Sequence, residues 1–432
     1  MRLRCDPLRT TYRPIWHWGR SVIRLLHTAD IHLDSPLKSL ALRDPELRQT
    51  VEAATRAALM RIIDLALSEQ VSALLIAGDL FDGNARSAST AAFLTQQLER
   101  LQHAGIRVFY IKGNHDAENP ITGALDLPEN VHTFDARGGK VQLSDDLWIH
   151  GVSFADRHAP ESLLPRFSAP VAGAVNIAML HSSLAGAAGH DVYAPCALSE
   201  LTEAGFDYWA LGHVHKRHVH SSSPWVVMPG MPQGRDIGEA GPKSVSLISV
   251  ENGSIEVQER ATSVLEFVTS DLDISAVDSS DGLRLMLRTH LTDLRNTVTA
   301  QAGVVRLTLT GTPLNHWQIL RDREFWVEQI AQLTRESGAL WLDKLVLDFD
   351  PAQASTETSS AVQELSELMA EIQAELGFAA LAEDEIDKVM QDLPQSIRER
   401  VLPTQEQRDA LLRRLAADGA DSVLAQMKGA DS

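Results

Sequence analysis

The sequence predicts a layered α/β fold, two sheets flanked by helices, followed by a small α+β domain and a helical C-terminal tail. Three observations predict it. Short apolar runs alternate with helical patterns from Val22 to about Leu211, the pattern changes to closely spaced strands from about 224 to 260, and an apolar-poor stretch at 351–360 precedes helix-period stripes. With 432 residues the chain has room for two or three domains, since a single core stops growing near roughly 250 to 300 residues.

The runs VIRLLHTAD, SALLIAGD, IRVFYIKGN, LWIHGV, AVNIAMLHS and DYWALGH are rich in Val, Ile, Leu or aromatics, and each breaks into polar residues at its C-terminal end. Residues 45–69 between the first two read as a helix with Ala58, Ile62, Leu65 and Ala66 on one face. PWVVM, KSVSLISV and SIEVQER, separated by Pro and Gly turns, read as a second sheet packed on the first. A separate unit follows: a strand at 265–276, a helix at 281–300 with Leu283, Leu287, Leu291, Leu294 and Val298 inward, the strand VVRLTLTG, a helix near 315–335 and the strand LWLDKLVLDF. PAQASTETSS (351–360) reads as a linker. Beyond it Val362, Leu365, Leu368, Ile372 and Leu376 recur at helical spacing, and residues 361–432 carry fifteen acids against seven bases, so these stripes dock either on the protein's own body or on a partner. The expected division is a 1–21 appendage, a domain at 22–265, a small α+β domain at 266–350, the linker and the 361–432 tail.

Composition excludes several classes. With 44% apolar and 22% charged residues the chain is an ordinary globular protein. Cys5 and Cys196 lie far apart, which excludes a disulfide framework and a zinc-type CxxC site and fits a reducing cytoplasm. No apolar run approaches the roughly 18 residues that span a bilayer, and the arginines of residues 1–21 lack the apolar core of a secretory signal. The net charge of −19 repels a polyanion, so binding of DNA is expected to be local or shared with another protein. It does not oppose a metal site, because two divalent ions put about four positive charges where a phosphate sits.

Five polar clusters carry the chemistry: Asp30-Ile-His32, Gly78-Asp79-Leu-Phe-Asp82, Gly113-Asn114-His115-Asp116, His181 and Gly212-His213-Val-His215. Singly, each is an ordinary turn or an interior histidine. Together they supply the carboxylate, imidazole and amide-oxygen ligands that divalent ions need, all at strand ends, where open α/β sheets bind ligands.

This order resembles the calcineurin-like metallophosphoesterases over roughly residues 22–265, with the series D-x-H, G-D-x-x-D, G-N-H-D/E, H and G-H-x-H. LLHTADIHLDSPL, LLIAGDLFD, YIKGNHD and YWALGHVHKR look like the SbcD-type DNA repair exonucleases. HDVYAPC and MPGMPQGRDIGEAGPK look like the YhaO-like branch. The resemblance implies a two-sheet metallophosphoesterase sandwich, with the small α+β domain as a cap. It also implies two divalent ions, Mn²⁺ by family habit: one held by Asp30, His32, Asp79 and His215, the other by Asp79, Asn114, His181 and His213. A carboxylate shared by two ions about 3.5–4 Å apart lowers the pKa of a water between them and makes it the nucleophile.

His115 follows a ligand directly, so its expected work is to stabilise the scissile phosphate or protonate the leaving oxygen, with Asp82 favouring its cationic form. Many break-repair nucleases have a second histidine where Asp82 stands, and phosphoprotein phosphatases have Asp followed by Arg. Here Gly83 follows, which weakens a phosphatase reading and leaves DNA-end handling open. Arg217 and Arg235 fall where the family lines its groove, as phosphate contacts or as exposed structural arginines. Arg284, Arg288 and Arg295 share one stretch of the 281–300 helix, as a DNA-tracking stripe or a solvated face. His190, His218 and His220 are expected at the rim. The expected activity is a metal-dependent DNA nuclease working with an SMC-like ATPase; a homodimer is compatible with the sequence. The alternatives are hydrolysis of a small phosphodiester, cyclic nucleotide or phosphoprotein, and a scaffold without catalysis.

Overall fold

A computed structural model describes residues 22–35, 45–82, 87–117, 126–184, 193–349, 360–392 and 404–428. The appendage expected at 1–21, the linker at 351–360 apart from Ser360, and His190 lie outside the described residues. Among these residues the chain forms two compact units, one of residues 22–35, 48–235 and 243–264, the other of 45–47, 236–242 and 265–428.

In the first unit the six apolar runs form β1 (Ile23–Thr28), β2 (Ala73–Ala77), β3 (Arg107–Ile111), β6 (Leu147–Gly151), β7 (Val175–His181) and β8 (Tyr208–Gly212). They read as unbroken apolar runs because strands covered on both faces are buried at every position, as all seven residues of β7 are. They do not share one sheet. The first sheet has the order β12-β11-β1-β2-β3-β4 and the second β5-β6-β7-β8-β10-β9, with β4 (Val131–Thr133), β5 (Gly139–Ser144), β9 (His218–Ser222), β10 (Trp225–Met228), β11 (Ser244–Glu251) and β12 (Ser254–Ala261). The expectation that 224–260 supplies the second sheet is therefore corrected. Only β10 of those strands enters it, beside β8, whereas β11 lies antiparallel to β1 in the first sheet with Ile23 opposite Val250. Such pairing joins residues far apart in sequence, and no local pattern encodes it.

Alternation along the strands builds three layers. Leu26, Leu74, Ile76 and Val108 pack with α1 (Pro45–Ser68) and α2 (Ala88–His103) on the outside of the first sheet. Ala58, Ile62 and Ala66 of α1 are buried as the periodicity predicts, with Leu65 packed at the edge. Leu25, Leu75, Phe109 and Ile111 meet Ile149, Ile177, Met179 and Tyr208 between the sheets. Ala178, Leu180, Trp209 and Leu211 face outward from the second sheet and pack with Leu201 of α4 (Leu198–Glu203). A further helical turn, α3 (Asn114–Ala117), starts at the end of β3.

In the second unit β13 (Leu265–Asp273), β14 (Ala302–Gly311) and β15 (Leu340–Phe349) form a three-stranded parallel sheet. α5 (Ser280–Thr297) buries Leu283, Leu287 and Leu291; it ends at Thr297, and Val298 is its buried C-terminal cap. The helix expected near 315–335 is two, α6 (His316–Arg321) and α7 (Arg323–Glu336), meeting at Asp322. α8 (Ser360–Ala374), α9 (Leu376–Gln391) and α10 (Gln405–Lys428) belong to the same unit, where α10 packs along α6 and α8. Ala425 of α10 is fully buried, and Gln373 Nε2 donates to Ala416 O at 2.9 Å. Leu368, Ile372, Leu381 and Val389 of α8 and α9 stay exposed. No helix among the described residues is long and apolar enough to cross a membrane.

Candidate metal centre

The polar residue that breaks each run sits where β1, β2, β3, β7 and β8 end, so both sheets contribute to one place. After β1 the backbone alternates: Asp30, His32 and Asp34 have φ of 52°, 44° and 58°. Left-handed geometry costs about 1 kcal/mol or more per non-glycine residue, so the loop must be held from outside. The amides of Asp30, His32 and Leu33 donate to the carbonyls of Gly78, Asp79 and Leu80, each at 3.0 Å, and thereby lock this loop to the one after β2. Asp79 and His213 are left-handed too. Gly113 and Gly212 are required for closeness rather than for φ: a Cβ on Gly113 would overlap the Asp79 carboxylate, and one on Gly212 the Ala77 carbonyl.

Three groups of possible ligand atoms converge among the described residues, each within 4.8 Å: Asp30, His32 and His215; His32, Asp79 and His115; Asp79, His181 and His213. Asp79 Oδ1 accepts from the His115 amide at 2.9 Å, which leaves Oδ2 facing His181 Nε2 at 3.4 Å and His32 Nε2 at 3.9 Å. His32 Nε2 also lies 3.2 Å from His215 Nε2. Asp30 accepts the His213 amide on both oxygens, at 3.1 and 3.0 Å.

This donor set fits divalent metal. His181 Nδ1 stands 2.9 Å from Ala77 O, a pure acceptor, so Nδ1 donates and the ring turns Nε2 toward the centre. Nε2 lies 3.0 Å from Asn114 Oδ1 and 3.4 Å from Asp79 Oδ2, both acceptors. Two buried oxygens converging on one imidazole nitrogen suit positive charge between them, the Nε2 proton of the metal-free ring or a divalent ion in its stead. Burial alone would lower the His181 pKa, but the Asp79 carboxylate pushes it up to about 9. Burial would raise Asp79, yet His181 and His32 hold it well below the usual carboxylate range. Burial raises Asp30 and depresses His32, each against opposing charges nearby.

His115 and Asp82 flank this centre. His115 Nδ1 is 3.5 Å from Asp82 Oδ1, its ring meets that of His32 edge-on at 4.9 Å, and about a third of the side chain is exposed. Ser35 Oγ donates to Asp82 Oδ2 at 3.0 Å. The candidate DNA contacts are placed differently. Arg217 donates to Ser246 Oγ at 2.8 Å and pairs with Glu259, while Arg235 Nη2 stands 3.2 Å from His215 Nδ1 at the centre itself. In the second unit Arg284 pairs with Asp281 at 3.1 Å and lies over the Phe325 ring, Arg288 pairs with Glu336 at 3.5 Å, and Arg295 donates to Val298 O. His218 and His220 meet edge-on at 4.3 Å on β9, an edge strand, and belong to none of the ligand groups.

Two residues with work to do here were given none by the sequence pattern. Asp116, fully buried, accepts from Leu80 N, Phe81 N and Gly113 N at 3.2, 3.0 and 3.0 Å and so ties the loops after β2 and β3 together. Burial and then the Asp79 charge push its pKa up to about 6. Asp34 takes Arg56 in two hydrogen bonds, at 2.7 and 2.5 Å, plus one from Thr90, and anchors the outer end of the left-handed loop. The only local signal was an acid continuing each motif, at the end of GNHD and of DIHLD.

Comparisons with known proteins agree with this geometry. The calcineurin-like phosphoesterase profile matches residues 23–217, and that of the middle domain of metallophosphoesterase YhaO matches 267–350. The uncharacterized metallophosphoesterase YhaO of Bacillus subtilis is 36% identical over 301 residues, 67% of this chain and 72% of that protein. The DNA double-strand break repair protein Mre11 of Sulfurisphaera tokodaii is 27% identical over 46% of this chain and 50% of its own length. The SbcD component of the nuclease SbcCD from Escherichia coli is 23% identical over 55% of this chain and 67% of its own length. The chain thus spans about half the length of the break-repair relative it matches. On the YhaO relationship and the matched profiles, the chain belongs to the calcineurin-like metallophosphoesterases, hydrolases of phosphoester bonds that use divalent metal ions.

Proposed function

We propose that this protein is a DNA nuclease, of the exonuclease kind, that uses two divalent ions, Mn²⁺ in the first instance, and works in DNA repair with an SMC-like ATPase. The observation that carries the two-ion reading is the Asp79 carboxylate, whose Oδ2 faces an imidazole nitrogen of each ligand set. One set is Asp30, His32, Asp79 and His215; the other is Asp79, Asn114, His181 and His213. Divalent ions bound there supply Lewis acidity toward a phosphoryl oxygen and make water more acidic.

The protein's own residues do the rest. Asp30 and Asp79 balance cationic charge, and the backbone bonds from Asp116 and the Gly78, Asp79 and Leu80 carbonyls keep the ligands from rearranging. His115, partly exposed and next to Asp82, is placed to donate a proton to the leaving oxygen. Arg235 is a candidate for a phosphate contact because it stands beside the centre, 3.2 Å from His215 Nδ1, and a proton on Nδ1, which ligation through Nε2 requires, would end that contact. Arg284 and Arg288 have partners already, which makes them weaker candidates for DNA.

The DNA substrate is supported by two relatives whose names describe break repair and a nuclease. In this reading 22–265 is catalytic, 266–350 a cap, and the 361–432 tail offers exposed Leu381 and Val389 among acidic residues to the ATPase. The test is hydrolysis, with and without Mn²⁺, of 3′- and 5′-labelled duplex DNA, a small phosphodiester and a phosphomonoester. Metal-dependent shortening of the duplex is expected. Turnover of the small esters with intact DNA would replace the substrate while keeping the chemistry.

A further inference from the structure

His27 is completely buried in the layer between the two sheets, yet it contributes to none of the three ligand groups. By alternation along β1 it shares the inner face with Leu25, which packs against the second sheet. An imidazole in such surroundings is tolerated only with its hydrogen bonds made. Nε2 lies 3.0 Å from Leu211 O, a pure acceptor, so Nε2 donates, and Nδ1 accepts from the Tyr208 hydroxyl at 2.9 Å. Ser246, directly opposite His27 on β11, reaches the Tyr208 oxygen and accepts from Arg217 Nη1 at 2.8 Å. Every donor in this chain has an acceptor, which fixes one tautomer and one hydroxyl direction.

The consequence is positional. β1, in one sheet, and the loop that follows it hold the end of β8, in the other, at two points on either side of Gly212: His27 on β1 donates to the Leu211 carbonyl, and Asp30 in the loop accepts the His213 amide. His181 makes the reciprocal tie from β7 to Ala77 O of β2, but it is itself in a ligand group. We propose that His27 is a positioning residue: through Leu211, with Tyr208 setting its tautomer, it fixes the spacing between Asp30 and His32 of one sheet and His213 and His215 of the other. The proposal rests on the metal-centre reading above.

The test is Mn²⁺ titration calorimetry on the full chain and on His27→Phe, His27→Gln and Tyr208→Phe, with metal-free melting recorded for each. His27→Phe keeps the bulk and loses both bonds; His27→Gln keeps a donor toward Leu211. Outer-sphere partners of metal ligands change affinity by about tenfold or more, so His27→Phe is expected to bind Mn²⁺ about tenfold more weakly. His27→Gln should stay within about threefold of the unaltered chain, and Tyr208→Phe should lose about threefold. Equal loss in His27→Phe and His27→Gln, or none in His27→Phe, overturns the proposal. Should His27→Phe not fold, Tyr208→Phe decides, and an unchanged affinity there overturns it. If the unaltered chain takes up no Mn²⁺, the metal centre itself is wrong; if it does and His27→Phe matches it, only the role of His27 is.

Discussion

The two units bury different things. The second has a core of Leu283, Leu287, Leu291, Leu307, Ile330 and their neighbours, and the arginines that its helix spacing suggested for DNA are engaged by Asp281, Glu336 and the Phe325 ring. The first has apolar layers of the same kind and, at the ends of its strands, Asp30, His32, Asp79, Asn114 and His181 buried together. All three ligand groups among the described residues lie there, beside a loop with three left-handed residues. Apolar burial stabilises a unit whatever it does, whereas converging buried carboxylates and imidazoles hold together only with cationic charge among them, from a proton on His181 or from a metal ion. That contrast separates the part built to last from the part built to react.

The contrast breaks most readily at Asp79. Asp79→Asn is expected to remove both metal binding and hydrolysis, the latter by about 10³-fold or more, measured by metal analysis and turnover of a small phosphodiester; retained metal with full activity would mean that Oδ2 is not shared. His115→Ala is expected to keep the metal and lose about 10²- to 10⁴-fold in kcat, the range for a positioned acid. Joint loss of metal and rate would move His115 among the ligands, a role its place in the group with His32 and Asp79 permits.

Leu287→Ala tests the other unit. With the side chain fully buried it should destabilise by about 2–5 kcal/mol in denaturant unfolding while Mn²⁺ affinity per folded molecule stays unchanged. A change in affinity would show that the second unit's core serves the centre.

Acid sharpens the comparison within the first unit. Burial, aided by the nearby Arg217 charge and opposed by the Leu211 bond, lowers the His27 pKa from about 6.5 to about 3. Only the unfolded chain takes up this proton between those values. The contribution of His27 is therefore complete above pH 6.5 and is lost as pH falls toward 3, a few kcal/mol at most, on the scale of about 1.4 kcal/mol per pH unit. Metal-free His27→Gln should unfold less steeply over that window; an identical acid limb removes His27 from the account. The smallest effect is expected from the pair Arg284→Ala and Arg288→Ala, less than about threefold on duplex affinity, because these side chains are already paired. A larger loss would return the helix to the DNA path.

How much the sequence disclosed follows from the range of the forces involved. The ends of β1, β2, β3, β7 and β8 were legible, because an apolar run that stops at Asp, Asn or His records burial residue by residue. The division of those strands between two sheets was not, since β1 finds β11 more than two hundred residues away. Asp34, Asp116 and His27 were missed for the same reason: their partners are Arg56, the amides of Leu80 and Phe81, and the carbonyl of Leu211, which only the fold brings near. The arginine stripe was legible as spacing, but Glu336 and Phe325 stand on another helix, so its neutralisation was not.

The packing of α10 along α6 bears on how the C-terminal region is to be probed. Amputating residues after 404 would strip a neighbouring helix of its cover and uncover the seat of Ala425, and the sticky remnant would lose solubility whether or not the excised piece ever gripped another protein. Charged replacements at the outward Leu381 and Val389, which leave that seat closed, interrogate the same region without the wound.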